Sequence, residues 1–214
     1  MEYFQISMSI HSRSNQDPLA DATVAQAAAD MVRTAHAVGL VDEAPDFAQI
    51  TYPAVKRAAL RVREAGIGGR AAADVTRATP PDAGLLAGRL REMALLLEQS
   101  PLPATEWRRV LETFDRDRLA PLLGVSPASV LRYARDERRT PDDVAARLHW
   151  LALIVGDLAG AYNQIGIRRW FERARTALDG RSPAELLRGA WQPEDAGPRA
   201  VRELARSLIA SPAT

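Results

Sequence analysis

Four arginines stand within eight residues, at Arg132, Arg135, Arg138 and Arg139, and Ser126, Ala128 and Ser129 precede them. Ser126, Ala128, Ser129, Arg132 and Arg135 read as the outward positions of a helix that starts there. Such a face can read base edges. A guanidinium meets O6 and N7 of guanine bidentately, hydroxyls serve either partner, and a methyl packs on thymine. Arg132 is the best placed for the guanine contact. Arg138 and Arg139 follow the helix, where phosphate contacts fall. From Ser126 to Pro141 there are four arginines against two acids, a modest net +2. Leu131 lies where a polar reader is common, so it fits a thymine methyl or a protein partner. The plainer alternative for these arginines is a solvated helix face.

Catalysis has less to build on. His11, His36 and His149 are scattered, and no His-x-x-x-His, His-Glu-x-x-His or Gly-x-Ser-x-Gly spacing occurs. His149 sits in an apolar stretch and reads as a packed residue. Asp142 and Asp143 read as helix-start acids before metal ligands. GIGGR at 66–70 lacks the preceding strand and the Lys-Ser/Thr of a phosphate loop, so it reads as a helix cap and turn. The expectation is a protein that is not an enzyme and takes no cofactor or metal.

The elements that must position the arginine face form a helix-turn-helix. Asp117–Leu123 reads as a short helix in which Ala120 leaves room for its partner. Gly124 ends it in a left-handed conformation, and Val125 drops into the core. Ser126 caps the next helix, Pro127 fits its first turn, and Val130 and Tyr133 face inward. An ordinary helical hairpin is the alternative. Thr105–Phe114 precedes this pair as a helix. A long one opens at Thr140-Pro141, with Thr140 as cap, and carries Val144, Leu148, Leu151, Val155, Leu158 and Tyr162 on one face. Trp150, Leu153 and Ile154 make its middle apolar all round, which predicts a buried central helix.

The chain has 214 residues, 47% hydrophobic and 26% charged, with net charge +1. That suits one large or two small domains with a real core, and it announces no overall nucleic-acid partner. Cysteine is absent, which removes disulfides and thiolate chemistry. Lys56 is the only lysine, and the arginine and alanine bias reflects genome base composition. The first residues lack a signal-peptide pattern, and Leu148–Val155 falls far short of the ~20 apolar residues of a membrane span. A cytoplasmic location is expected.

Residues 1–18 read as a frayed tail. Helices are expected over Ala20–Val38, stopped by Gly39, over Pro53–Ala65 with Val55, Leu60 and Val62, closed by Gly66, and from Thr79-Pro80-Pro81-Asp82 to about Gln99 with Leu85, Leu86, Leu90, Met93, Leu96 and Leu97. Lys56, Arg57, Arg61 and Arg63 read as a solvated basic face. Asp42–Gln49 reads as a loop, and Ser100-Pro101-Leu102-Pro103 as a boundary. No strand pattern appears, so the fold class is all-α.

The C-terminal part reads NQIGIRRWFERARTALDGRSPAELL over 163–187. Gly180 ends one helix and Ser182-Pro183-Ala184-Glu185 is a capping box. After Trp191 a loop leads to a helix with Val201, Leu204, Ala205, Leu208 and Ile209 in one stripe. Gly166, Trp170, Leu178, Gly180, Pro183, Leu186 and Leu187 together follow a helix-turn-helix in an order that resembles antitoxins of the Xre/MbcA/ParS type. The resemblance spans roughly Thr105 to Ile209. Ala174-Arg175 departs from the Pro-Asn pair common in that family.

The resemblance implies a helical bundle that forms a homodimer, neutralises a RES-type protein toxin that consumes NAD⁺, and binds operator DNA to repress its own operon. It implies a toxin-binding set of Trp170, Phe171, Arg181, Pro183, Leu187 and Trp191, and a last helix that approaches the toxin pocket. The domains then run 1–18 as a tail, 19–100 as a helical region of unassigned role, 104–150 as the helix-turn-helix, and 151–214 as a toxin-binding and dimerisation domain. The alternatives are a stand-alone regulator whose C-terminal bundle dimerises or senses a ligand, and an interaction scaffold that has lost DNA binding.

Overall fold

The computed structural model describes residues 17–42 and 50–210, so the expected loop over Asp42–Gln49 and the start of the expected tail lie almost wholly outside it. Among the described residues every regular element is helical, and the fold class is all-α. Four helices come first: α1 (Ala22–Ala37), α2 (Tyr52–Glu64), α3 (Gly69–Thr76) and α4 (Ala83–Glu98). Asp21 accepts from the amides of Thr23 and Val24, and Asp82 from that of Leu85, so each long helix opens on a carboxylate that satisfies orphan donors. Val24, Ala28, Met31 and Ala35 on α1 meet Leu86, Leu90, Met93 and Leu97 on α4 in one core. Leu60 and Leu85 stay 42% exposed. α2 turns Val55, Ala59 and Val62 inward and α4 turns Leu86 and Leu90 inward, and each stripe leaves the neighbouring leucine in water. α3 was not anticipated. It is a short alanine-rich turn of helix closing the bundle, started by Gly68 in the left-handed region (φ +60).

Seven further helices follow: α5 (Pro103–Thr113), α6 (Arg116–Leu123), α7 (Pro127–Ala134), α8 (Asp142–Ala159), α9 (Gln164–Glu172), α10 (Pro183–Leu186) and α11 (Ala196–Ala210). Their core gathers around α8, whose Leu148, Leu151, Ile154 and Leu158 are fully buried. Each such side chain contributes about 1.5–3 kcal/mol by leaving water. Tyr162 does not join them. α8 stops at Gly160, and the tyrosine is 37% exposed beyond it. The expected Thr140 cap is also absent. Its hydroxyl accepts instead from the Trp107 indole N–H at 2.9 Å, and Pro141 occupies the cap position. No single helix among the described residues is long and apolar enough to cross a membrane, and α8 and α9 meet at 117°.

The two cores are joined by α8. Leu153 belongs to the N-terminal core while its helix neighbours serve the other. Gly156 makes this possible, because a Cβ there would lie 2.3 Å from Ala37 Cβ on α1. Polar groups seal the seam. Thr105 Oγ1 donates to the Val38 carbonyl at 2.6 Å, and His149 Nε2 to the Glu98 carbonyl at 3.0 Å. On its other side His149 Nδ1 lies 2.5 Å from Glu106 Oε1, and burial pushes the Glu106 carboxyl pKa up. Arg202 and Arg206 of α11 both reach Glu98 of α4, and Arg202 lies over the Trp150 ring at 4.6 Å.

Candidate nucleic-acid interface

α6 and α7 are eight residues each and are separated by Gly124, Val125 and Ser126. Asp115 caps α6 through the Arg118 amide at 2.8 Å. Leu119, Ala120, Leu122 and Leu123 bury its inner face. Gly124 ends it at φ +67, a conformation costing an ordinary residue about 1–2 kcal/mol. Val125 is half-buried against the core, and the Ser126 hydroxyl accepts from the Ser129 amide at 3.1 Å. Pro127 takes the first helical position. Val130 and Tyr133 point inward, and Tyr133 stacks on Trp107 with centroids 5.9 Å apart.

That anchoring leaves the opposite side of α7 open. Ser126, Ala128, Arg132 and Arg135 are exposed and Ser129 is half-buried beside them. The Ser126 and Ser129 hydroxyls are 3.0 Å apart, and an Arg132 guanidinium nitrogen lies 3.5 Å from Ser129 Oγ. Among the described residues Arg132 forms no ion pair, so its donors are uncommitted to a carboxylate. Asp136 adopts a left-handed conformation (φ +57) as the helix ends. Beyond it, Arg138 lies 5.7 Å from the Tyr133 ring centroid and Arg139 pairs with Asp142 at 3.4 Å. Arg135 sits 3.7 Å from Glu137. These two pairs are exposed, and such pairs are worth about 0–1 kcal/mol, little hindrance to a phosphate.

The reverse side of α6 is tied to the C-terminal helices. Its last carbonyls have no helical partners. Arg147, buried on α8, donates from Nε to the Leu123 carbonyl at 3.0 Å and from Nη1 to that of Trp191 at 3.3 Å. Trp191 Nε1 donates to the carbonyls of Leu122 and Leu187, both at 2.9 Å. The Gly189 amide donates to the Pro121 carbonyl at 2.9 Å. Neither Arg147 nor Glu106 was singled out from the sequence. Their signal was a charged residue within a helix face otherwise spaced as apolar.

Compared with models of known protein families, with curated proteins and with solved structures, the chain matches none.

Of the six residues expected to meet a toxin, five are buried in the core. Trp170 and Phe171 are each 2% exposed, Leu187 0% and Trp191 5%, and Pro183 is buried with them. Large apolar side chains gain most from the core, and here they supply it. Phe171 packs edge-on against Phe114 at 5.0 Å and Trp170 at 5.4 Å, and Trp191 divides its one donor between Leu122 of α6 and Leu187. Only Arg181 of the six is exposed. The capping box is present. Ser182 and Glu185 exchange bonds with each other's amides, and those bonds hold the Glu185 carboxyl below the usual range. In the place of the Pro-Asn pair, Arg175 stacks 5.2 Å from the Trp170 ring, and its carbonyl accepts from Gly180 at 3.0 Å. Of the last stripe, Val201 and Ala205 are buried and Leu204 and Leu208 pack against the core, while the Ile209 side chain lies outside the described residues.

Proposed function

We propose that this chain is a DNA-binding antitoxin of the Xre/MbcA/ParS type, with α7 as its reading helix and a RES-type toxin as its protein partner. The observation that carries the DNA half is the open face of α7. Ala128, Ser129 and Arg132 lie opposite the buried Val130 and Tyr133, Ser126 and Arg135 stand at the two caps, and Arg138 and Arg139 lie beyond the helix end. Hydroxyls, a methyl and guanidinium groups in that order suit a major groove, and the trailing arginines suit the flanking phosphates. The toxin half rests on the run from Gly166 to Leu187 and its position after the α6–α7 pair.

The burial of Trp170, Phe171, Leu187 and Trp191 favours a second reading. The run then marks a fold, and the chain is a stand-alone regulator whose C-terminal helices dimerise or sense a ligand. Purification of the tagged chain from its host, with mass spectrometry of what accompanies it, separates the two. A stoichiometric small partner whose NAD⁺ consumption is silent in the complex supports the antitoxin reading. Recovery of DNA alone supports the regulator. Recovery of neither, with no salt-dependent binding to the chain's own upstream DNA, overturns both.

A further inference from the structure

A groove of about 300 Å³ opens where α5 and α6 meet α9 and α10. Its floor is apolar: Phe114, Pro121, Leu122, Phe171 and Ala184. Phe114 and Phe171 meet beneath it edge to face and are each 2% exposed, so Pro121 and Ala184 give the floor most of its open apolar surface. Three arginines stand on the lining, Arg118, Arg168 and Arg188.

The charges there are unevenly committed. Arg118 is engaged with Asp115 at 2.6 Å and Glu172 at 3.5 Å, and Asp117 lies 3.8 Å from Arg116. Both acids of the lining therefore have arginine neighbours already. Arg168 gives one N–H to the Thr113 carbonyl at 2.9 Å and, like Arg188, forms no ion pair among the described residues. The groove thus combines an apolar floor with two guanidinium groups that lack a counter-charge. A guanidinium presents a planar fork that matches a carboxylate bidentately and stacks on flat rings.

We infer that this groove binds a small planar, apolar molecule bearing one carboxylate, its ring on Pro121 and Ala184 above the buried phenylalanine pair and its acid group toward Arg168 and Arg188. The volume is at the lower end of small-molecule pockets, which limits the guest to one or two rings. A neutral hydrocarbon would leave the two cations unmatched. A polyanion would place excess charge beside Asp117 and Glu172. The site lies away from the open face of α7, and it stands whether or not that helix reads DNA.

The test is calorimetric titration of the full chain with 2-naphthoate and with its neutral isostere 2-naphthamide. The expected result is one naphthoate per chain, bound at least tenfold tighter than the amide. Arg188→Ala, an exposed residue without an ion partner, should weaken naphthoate by several-fold and leave the amide unchanged. Ala184→Trp should fill the floor and abolish both. Should that variant misfold, the Arg188→Ala comparison decides alone. Equal binding of acid and amide, binding indifferent to Arg188→Ala, or no binding by either compound overturns the inference.

Discussion

Gly124 lies so close to Gly189 that a Cβ at position 124 would stand 2.7 Å from the Gly189 carbonyl oxygen. One residue therefore ends α6 and admits the C-terminal backbone. Gly124→Ala meets both obstacles, a left-handed backbone and a backbone clash. Urea unfolding should show a loss of about 2–4 kcal/mol, above the ~1–2 kcal/mol of the conformation alone. A loss under about 1 kcal/mol would mean that the two segments separate without cost.

Trp191→Phe keeps most of the ring and removes the N–H that serves Leu122 and Leu187. The carbonyls left behind are buried, so the expected cost is about 1–3 kcal/mol. Denaturation midpoints for the wild type and the variant measure it. An unchanged midpoint would show that neither carbonyl needs the indole.

Gly156 carries the approach of α8 to α1. Gly156→Ala should destabilise by about 1–3 kcal/mol through overpacking against Ala37. Because α8 serves both cores, the wild type should unfold in one transition seen alike by circular dichroism and tryptophan fluorescence. Two separate transitions in the wild type would contradict the shared helix.

If α7 reads DNA, Arg132 and Arg139 should fail differently. Arg132→Ala should cost about 1–3 kcal/mol on the preferred sequence and little on others. Arg139→Ala should weaken all sequences alike and reduce the slope of log affinity against log salt by about 1. Uniform loss for both variants in a binding titration would remove the base-reading role of Arg132.

His36 is buried beside Arg109, whose Nη2 lies 3.2 Å from His36 Nδ1. Burial first, and then the Arg109 charge, hold its pKa down to about 4, against a weaker upward pull from Asp42. An unfolded chain takes that proton near about 6.5. Stability from this group is therefore complete above that pH and declines as pH falls toward about 4. Glu106 and Asp157, both raised by burial, act with the opposite slope. The difference between the wild type and His36→Asn isolates the histidine. The wild type should lose stability faster than the variant between pH 6.5 and 4. Parallel curves would show that His36 takes its proton in the folded state as readily as in the unfolded one.

What could be read from the sequence was what neighbours in the chain decide. Gly124-Val125-Ser126-Pro127 and Ser182-Pro183-Ala184-Glu185 carry their turn and cap geometry within four residues, and both are present as expected. Thr140-Pro141 obeys the same local rule and departs from it, because Trp107, 33 positions earlier, claims the hydroxyl. The hydrogen bonds of Trp191 were hidden for a related reason. Its use depends on Leu122, 69 positions away, and nothing beside it in the chain announces that bond. Leu60 and Leu85 fit the helical period, yet the face each helix buries is settled by its neighbours. The open face of α7 was legible because exposure there follows from two buried residues on the same short helix.

α8 is 18 residues long, about 27 Å at 1.5 Å per residue, and it is packed along its length. Whatever grips the first four helices thus holds one end of a stiff rod whose other end carries Arg147 against α6. The boundary expected at Ser100–Pro103 is bridged by a lever. A weight hung on the N-terminal bundle would tilt α6 and α7 with it, and a transplant of those two helices alone would leave the fulcrum behind.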